Sequence, residues 1–242
     1  TVTGSKFLLE AFGKNILIDC GMFQGLKELR DMNWNKFPFP PENIDLVLLT
    51  HGHLDHTGAL PRLVKEGFKG RITGTSPTLA IAEIILVDSA KIQQEDAERA
   101  NEENYSRHDP ALPLYDEKDV AETIALFKTT KPEEWIEFSE GIKFRFRPNG
   151  HILGSTYIEL EIGKKLFVFS GDVGQQEDSL LNSPLKPQKA DFLFLESTYG
   201  DRLHPDEDPD LILKAAIETV LEQQGMLIIP SFAVERLQTL MY

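Results

Sequence analysis

Short apolar runs alternate with turn-rich segments along this chain, the pattern of strands interleaved with helices. Residues 6–10 and 15–19 read as a hairpin turning at Gly13 and Lys14. The run Ile44-Asp45-Leu46-Val47-Leu48-Leu49 reads as a buried strand. A short helix is predicted over 59–66, with Pro61 in its first turn and Gly67 at its end. A strand at 70–74 follows. Ser76 then caps a long helix with Pro77 at its first position. Leu79, Ala82, Ile85 and Leu86 recur there at helical spacing and read as core, and polar residues carry the helix to about Asn101. Another short helix is predicted over 119–128. Strands are expected at 143–147, 157–162, 165–170 and 192–196. A helix over 209–223 ends before Gly225, and a strand at 226–229 and a helix from Val234 close the chain. No internal repeat or low-complexity segment is evident.

Composition narrows this picture. At 242 residues with 41% apolar content, the chain suffices for one large domain, or one domain and part of another. A composition shift at 203–210 is the candidate boundary, with 1–202 as the main domain and 203–242 as the start of a second. No run of about 18 apolar residues predicts a membrane span. No signal peptide is visible. A single cysteine, Cys20, forms no internal disulfide, so a reducing cytoplasm is the expected location. Cys20 itself reads as a small buried hydrophobe. The net charge of −14 argues against a nucleic-acid partner, because phosphate binding usually shows as a basic patch. Net charge describes the global field, however, and divalent ions can reverse it inside one cleft. The acidic stretches 94–104 and 205–210 read as solvated faces.

The candidate chemistry lies in Thr50-His51-Gly52-His53-Leu54-Asp55-His56-Thr57-Gly58, directly after the buried strand. Imidazole and carboxylate suit zinc and related divalent ions. His51 and His53 are two apart and point the same way in an extended segment. Asp55 and His56 follow where the chain turns toward a helix and can face a second ion. Two metals roughly 3.5–4 Å apart can hold a bridging hydroxide. The alternative, a structural zinc, usually draws on cysteine. His151, in Gly150-His151-Ile152-Leu153-Gly154-Ser155, lies between two predicted strands, and glycine there permits close approach to a metal. Asp172 ends the apolar run Leu166-Phe167-Val168-Phe169-Ser170-Gly171 and could bridge both ions. Taken singly, His151 would be a loop histidine and Asp172 a turn former; their order after the first cluster changes that.

The order Asp19, His51-x-His53-x-Asp55-His56, His151, Asp172 resembles the metallo-β-lactamase superfamily. Val2-Thr3-Gly4-Ser5, Asp19-Cys20-Gly21-Met22-Phe23-Gln24-Gly25, Glu196-Ser197-Thr198-Tyr199-Gly200-Asp201-Arg202 and Ile229-Pro230-Ser231-Phe232-Ala233-Val234-Glu235-Arg236 are similar to the words of its β-CASP group of RNA-processing nucleases. The resemblance runs along essentially the whole chain. It implies an α/β (α+β) fold, the four-layer αβ/βα sandwich of that superfamily, with the start of a β-CASP domain. It implies a first zinc on His51, His53 and His151, and a second on Asp55 and His56, with Asp172 bridging and manganese as an alternative metal. Asp55 would also orient the attacking hydroxide, Asp19 would buttress the ligand loop, and Glu196 would act with a histidine on the leaving group. The implied function is zinc-dependent hydrolysis of RNA phosphodiesters by a metal-bridged hydroxide, in RNA processing or decay. Single-stranded RNA is the expected partner, with no membrane, and a homodimer is expected of the full-length protein.

Ser231 is a candidate for phosphate binding through a strand-to-helix turn, or an ordinary helix cap. The family supplies a further zinc-ligating histidine and the histidine partner of Glu196 from later segments. This chain has six histidines, and the remaining two, His108 and His204, stand in contexts that match neither. The chain starts at Thr1 without the first strand ahead of the Thr-Gly-Ser segment and ends inside a predicted helix, so it reads as a piece of a longer protein. Two other classes stay open: a hydrolase of the same fold acting on a small ester, thioester or lactam, and a non-catalytic subunit of RNA processing.

Overall fold

Residues 16–18 and 46–48 are apolar at successive positions and so are covered on both faces, whereas residues 142–147 alternate apolar and charged side chains and bury one face. The computed structural model describes residues 4–106, 108–178, 180–203, 208–231 and 234–242. The chain divides into two units, one through Leu195 and one from Glu196 to Tyr242. In the first, β1 (Phe7–Ala11), β2 (Lys14–Ile18), β3 (Leu46–Leu48), β4 (Arg71–Thr75) and β5 (Phe127–Thr130) form a five-stranded sheet in chain order. β1 and β2 are an antiparallel hairpin; β2 to β5 run parallel. The second sheet takes the order β10-β9-β8-β7-β6. Its strands are β6 (Ile136–Ser139), β7 (Ile142–Pro148), β8 (Thr156–Ile162), β9 (Lys165–Phe169) and β10 (Phe192–Phe194). They pair antiparallel except for β10, which runs parallel to β9.

The two-residue period of the strands sorts the core into two layers. Ile16, Ile18, Leu46 and Leu48 face the second sheet, where they meet Phe144, Phe146, Ile158, Leu160 and Phe169. Leu17, Val47 and Leu49 point the other way. They meet Leu60 and Leu63 of α3 (Leu60–Lys65), Leu79 and Leu86 of α4 (Ser76–Glu102), and Val120 of α5 (Glu117–Ile124). Each such fully buried aliphatic side chain stabilises the fold by about 1.5–3 kcal/mol. Parallel neighbours need crossover connections. The connection from β3 to β4 carries α2 (Leu54–Thr57) and α3; the one from β4 to β5 carries α4 and α5. Candidate chemistry thus gathers at the carboxyl ends of parallel strands, the usual place for ligands in α/β sheets.

Several local expectations are corrected. The cap of α4 is Thr75, not Ser76: the Thr75 side chain accepts from the Thr78 amide. Residues 119–128 are not one helix. Asp116 caps α5 with a capping box, and the helix stops at Ile124. The next residues become β5, because Phe127–Thr130 pair in parallel with the edge of β4. β6 and α1 (Lys27–Asp31) also escaped the pattern reading. Both are too short for a periodic signal.

The second unit holds α6 (Pro209–Glu222), capped by Asp208, and α7 (Arg236–Met241). Residues 226–229 form no strand there, since a strand needs a partner and none pairs with them among the described residues. The predicted last helix starts at Arg236 rather than Val234. His204, Val2 and Thr3, Phe232 and Ala233, and positions 205–207 of the acidic run lie outside the described residues. No helix of the described residues is long and apolar enough to cross a membrane.

Candidate metal centre

Three loops deliver six side chains to one end of the two sheets. His51 follows β3, His53 is the N-terminal flank of α2, and Asp55 and His56 sit within α2. His151 lies between β7 and β8, and Asp172 follows β9. His53 Nδ1 stands 3.1 Å from His51 Nε2 and 3.2 Å from His151 Nε2. Asp172 Oδ2 is 3.8 Å from His51 Nε2 and 3.6 Å from His151 Nε2. Its other oxygen, Oδ1, is 3.2 Å from His56 Nε2, which is 3.5 Å from Asp55 Oδ2. The ligating atoms therefore form two groups, His51–His53–His151–Asp172 and Asp55–His56–Asp172, with Asp172 in both.

These separations suit a metal. Ligands about 2.0–2.1 Å from a tetrahedral ion lie roughly 3.3–3.4 Å from one another. Three imidazole nitrogens converging on one point without a cation would be poorly matched, since only an N–H can donate and the others can only accept. The donor set of imidazole and carboxylate with no thiolate fits zinc or manganese chemistry. Cys20 is no competitor: it is fully buried, and burial pushes its thiol up to about 12.

A buried relay orients two of the histidines. Thr50 Oγ1 donates to Asp19 Oδ2 at 2.8 Å, and the Thr50 amide donates to Asp19 Oδ1 at 2.8 Å. With its proton committed to Asp19, the Thr50 oxygen accepts from His51 Nδ1 at 3.1 Å. Asp19 Oδ2 also accepts from His56 Nδ1 at 2.7 Å. His51 then carries hydrogen on Nδ1 and turns a bare Nε2 toward Asp172, the tautomer a ligating histidine requires, while His56 is held through Nδ1 on Asp19 with its Nε2 facing Asp172. Asp19 adopts φ +57, within reach of a short polar side chain that bonds locally. Pattern reading missed Thr50 and also Ser155, whose hydroxyl accepts from the His151 and Ile152 amides at 3.0 Å each. The only signal in the chain is a hydroxyl residue at each loop edge.

Electrostatics divides the cluster. Burial, then the neighbouring imidazoles His56, His53 and His151, hold the His51 pKa well below the ordinary range. Burial lowers His53 to about 4. Both are neutral near pH 7, the form that binds metal. Burial also disfavours charge on His56, but Asp19, Asp172 and Asp55 outweigh it and hold its pKa well above the ordinary value. Burial and the charge of Asp172 raise Asp55. Burial would raise Asp172 too, but the His56 bond and the surrounding imidazoles bring it below the ordinary carboxylate value.

The backbone clamps the loops. The Cys20 amide donates to His56 O at 2.7 Å, Met22 to Leu54 O at 3.0 Å, and Ser5 to Asp55 O at 2.8 Å. Gly21 lies so close that a Cβ there would stand 1.5 Å from Asp55 O. Glu196 and Ser231 belong to the second unit. Glu196 is half-buried and accepts from the Thr198 amide at 3.1 Å. Among the described residues Ser231 caps no helix: α7 starts five positions later behind Glu235.

Residues 4–214 match the family described as the metallo-beta-lactamase superfamily. The whole chain is 37% identical to Ribonuclease TTHA0252 of Thermus thermophilus, covering 52% of that protein. Over 98% of the chain it is 33% identical to cleavage and polyadenylation specificity factor subunit 3 of Dictyostelium discoideum, covering 30% of it. Over the same share it is 31% identical to Endoribonuclease YSH1 of Kluyveromyces lactis, again covering 30%. The chain thus spans about half the length of the first relative and about a third of the others.

Proposed function

This chain belongs to the metallo-β-lactamase superfamily and, within it, to the β-CASP RNA-processing group, and from that premise we propose that it is the nucleolytic core of a zinc-dependent ribonuclease acting on single-stranded RNA. The observation that carries the reading is Asp172, with one carboxylate oxygen in each of two ligand groups. A carboxylate so placed suits a pair of ions. His51, His53, His151 and Asp172 would hold one, and Asp55, His56 and Asp172 the other. Bound divalent ions would supply Lewis acidity toward a phosphoryl oxygen and a lowered pKa for water. The remaining work falls to the chain. Asp55 orients the attacking water and takes its proton. Attack on phosphorus breaks the P–O3′ bond, leaving a 5′-phosphate and a 3′-hydroxyl. The family resemblance would give Glu196 a role toward the departing oxygen. Asp19 and Thr50 keep His51 in the ligating tautomer, and Asp19 holds His56 through Nδ1.

We also propose that residues 203–242 begin a β-CASP domain, that the full-length protein is a homodimer, and that it works in the cytoplasm. The net charge of −14 does not oppose an RNA substrate at a centre whose largest local charges would be metal ions.

The test uses the full-length protein with 5′-labelled single-stranded RNA, with zinc and with chelator. Metal-dependent cleavage that His51→Ala and Asp172→Ala each reduce by at least about 1,000-fold, in line with loss of a principal catalytic group, supports the reading. Cleavage that persists in the metal-stripped double variant sinks it. A folded, metal-loaded protein that ignores RNA but opens a thioester or lactam would move the assignment to a small-molecule hydrolase.

A further inference from the structure

Asn149 stands between the end of β7 and the His151 loop, 2% exposed, and touches both of the loops that meet at the centre from the second sheet. Its Nδ2 donates to the carbonyl oxygens of Ser170 at 2.8 Å and Asp172 at 2.7 Å. Both partners are acceptors, so the amide has one orientation only; its oxygen could not take the place of its nitrogen. The Asn149 carbonyl accepts from the Gly174 amide at 2.9 Å, and its own amide donates to Ser155 O at 3.3 Å. Asn149 is thus bonded to residues on either side of Asp172 and, through Ser155, to the turn that holds His151.

Two further observations set its role apart from ordinary packing. Among the described residues its Oδ1 is buried with no hydrogen-bond partner, so the side chain is held through Nδ2 alone, on the segment that carries Asp172. The loops also touch without slack: a Cβ on Gly174 would lie 1.9 Å from Gly150 O. Small changes in the Asn149 bonds therefore move one ligand against the other rather than being absorbed.

We propose that Asn149 is a positioning residue for the candidate metal centre, setting the approach of His151 Nε2 to Asp172 Oδ2, 3.6 Å apart, and through it the metal affinity of the histidine group. Asn149 itself ligates nothing. The inference rests on reading the cluster as a metal site, and not on RNA as the substrate.

The experiment titrates zinc into the metal-free, full-length protein against a chromophoric chelator, for the parent, Asn149→Asp and Asn149→Ala. Asn149→Asp keeps the shape but turns an oxygen toward two carbonyl oxygens. Zinc affinity is expected to fall about 10–100-fold, the usual effect of losing a group that orients ligands. KM for substrate stays unchanged, and kcat recovers at raised zinc. Asn149→Ala brings no repelling oxygen and gives the same reading if the aspartate variant does not fold. Parent-like zinc affinity in a folded variant, with only a lowered melting temperature, overturns the proposal. A parent that binds no zinc overturns it together with the metal reading. Zinc binding weakened in the variants, without RNA cleavage, upholds it and removes only the substrate class.

Discussion

Thr50 is the residue on which the centre's orientation turns. Its hydroxyl is at once donor to Asp19 and acceptor for His51, so it sets the tautomer of His51 while Asp19 holds His56 through Nδ1. Thr50→Val keeps the shape and removes that hydroxyl. It should destabilise the fold by about 1–3 kcal/mol, the cost of leaving buried partners unpaired. It should weaken metal binding about 10–100-fold. Chemical denaturation and chelator competition measure the two separately, and an unchanged metal affinity would refute the relay. A second expectation concerns protons. In the unfolded chain His53 takes up a proton below about 6.5, but in the folded protein only near 4. Between these values the unfolded state binds more protons, so the stability of the metal-free protein should fall as pH falls from 6.5 toward 4. His51 adds to the same trend. The raised pKa of His56 acts in the opposite direction, above 6.5. Denaturation midpoints measured across this range check the sign.

At the scale of elements, the ligand loops are held by backbone contacts that leave no room for a side chain. Gly21 packs its Cα against Asp55 O, so Gly21→Ala cannot be accommodated without parting the 19–22 segment from α2. A loss of at least about 3 kcal/mol, at the upper end for overpacking, is expected. Gly74 provides the contrast: an added Cβ would meet only side-chain atoms at ordinary contact distances of 3.4–3.5 Å. Gly74→Ala should be tolerated far better, and equal stability of the two variants would contradict the clamp. The elements also mark where pattern reading worked. Long or doubly buried segments such as α4, β7 and β8 were legible because their periodicity spans several residues. β5 and β6 were not, because four residues carry little period and their state depends on the strand beside them.

At the scale of the whole first unit, the centre draws on both sheets, with His51, His53, Asp55 and His56 from the first and His151 and Asp172 from the second. Metal bound there would cross-link the two sheets and stabilise the folded state by mass action. At free metal about 1,000-fold above Kd this amounts to about 4 kcal/mol. For a chain of this size that is on the order of 10 °C in Tm. Calorimetry with zinc and with chelator measures it. A Tm indifferent to metal, in a protein that binds metal, would show that the centre does not tie the sheets together.

By itself, the sequence determined the sandwich class, through the alternation of strands and helices and the resemblance to one superfamily, and the identity of the candidate ligands, through residue types and their order. Those properties are local or compositional, so a linear reading reaches them. Only the tertiary structure decided that Asp172 sends one oxygen to each group, that Thr50 relays between Asp19 and His51, and that Asn149 ties two ligand loops together. These pairings join residues distant along the chain at separations near 3 Å. Nothing in a one-dimensional pattern specifies such distances. They follow from how two sheets pack and where their connecting loops meet.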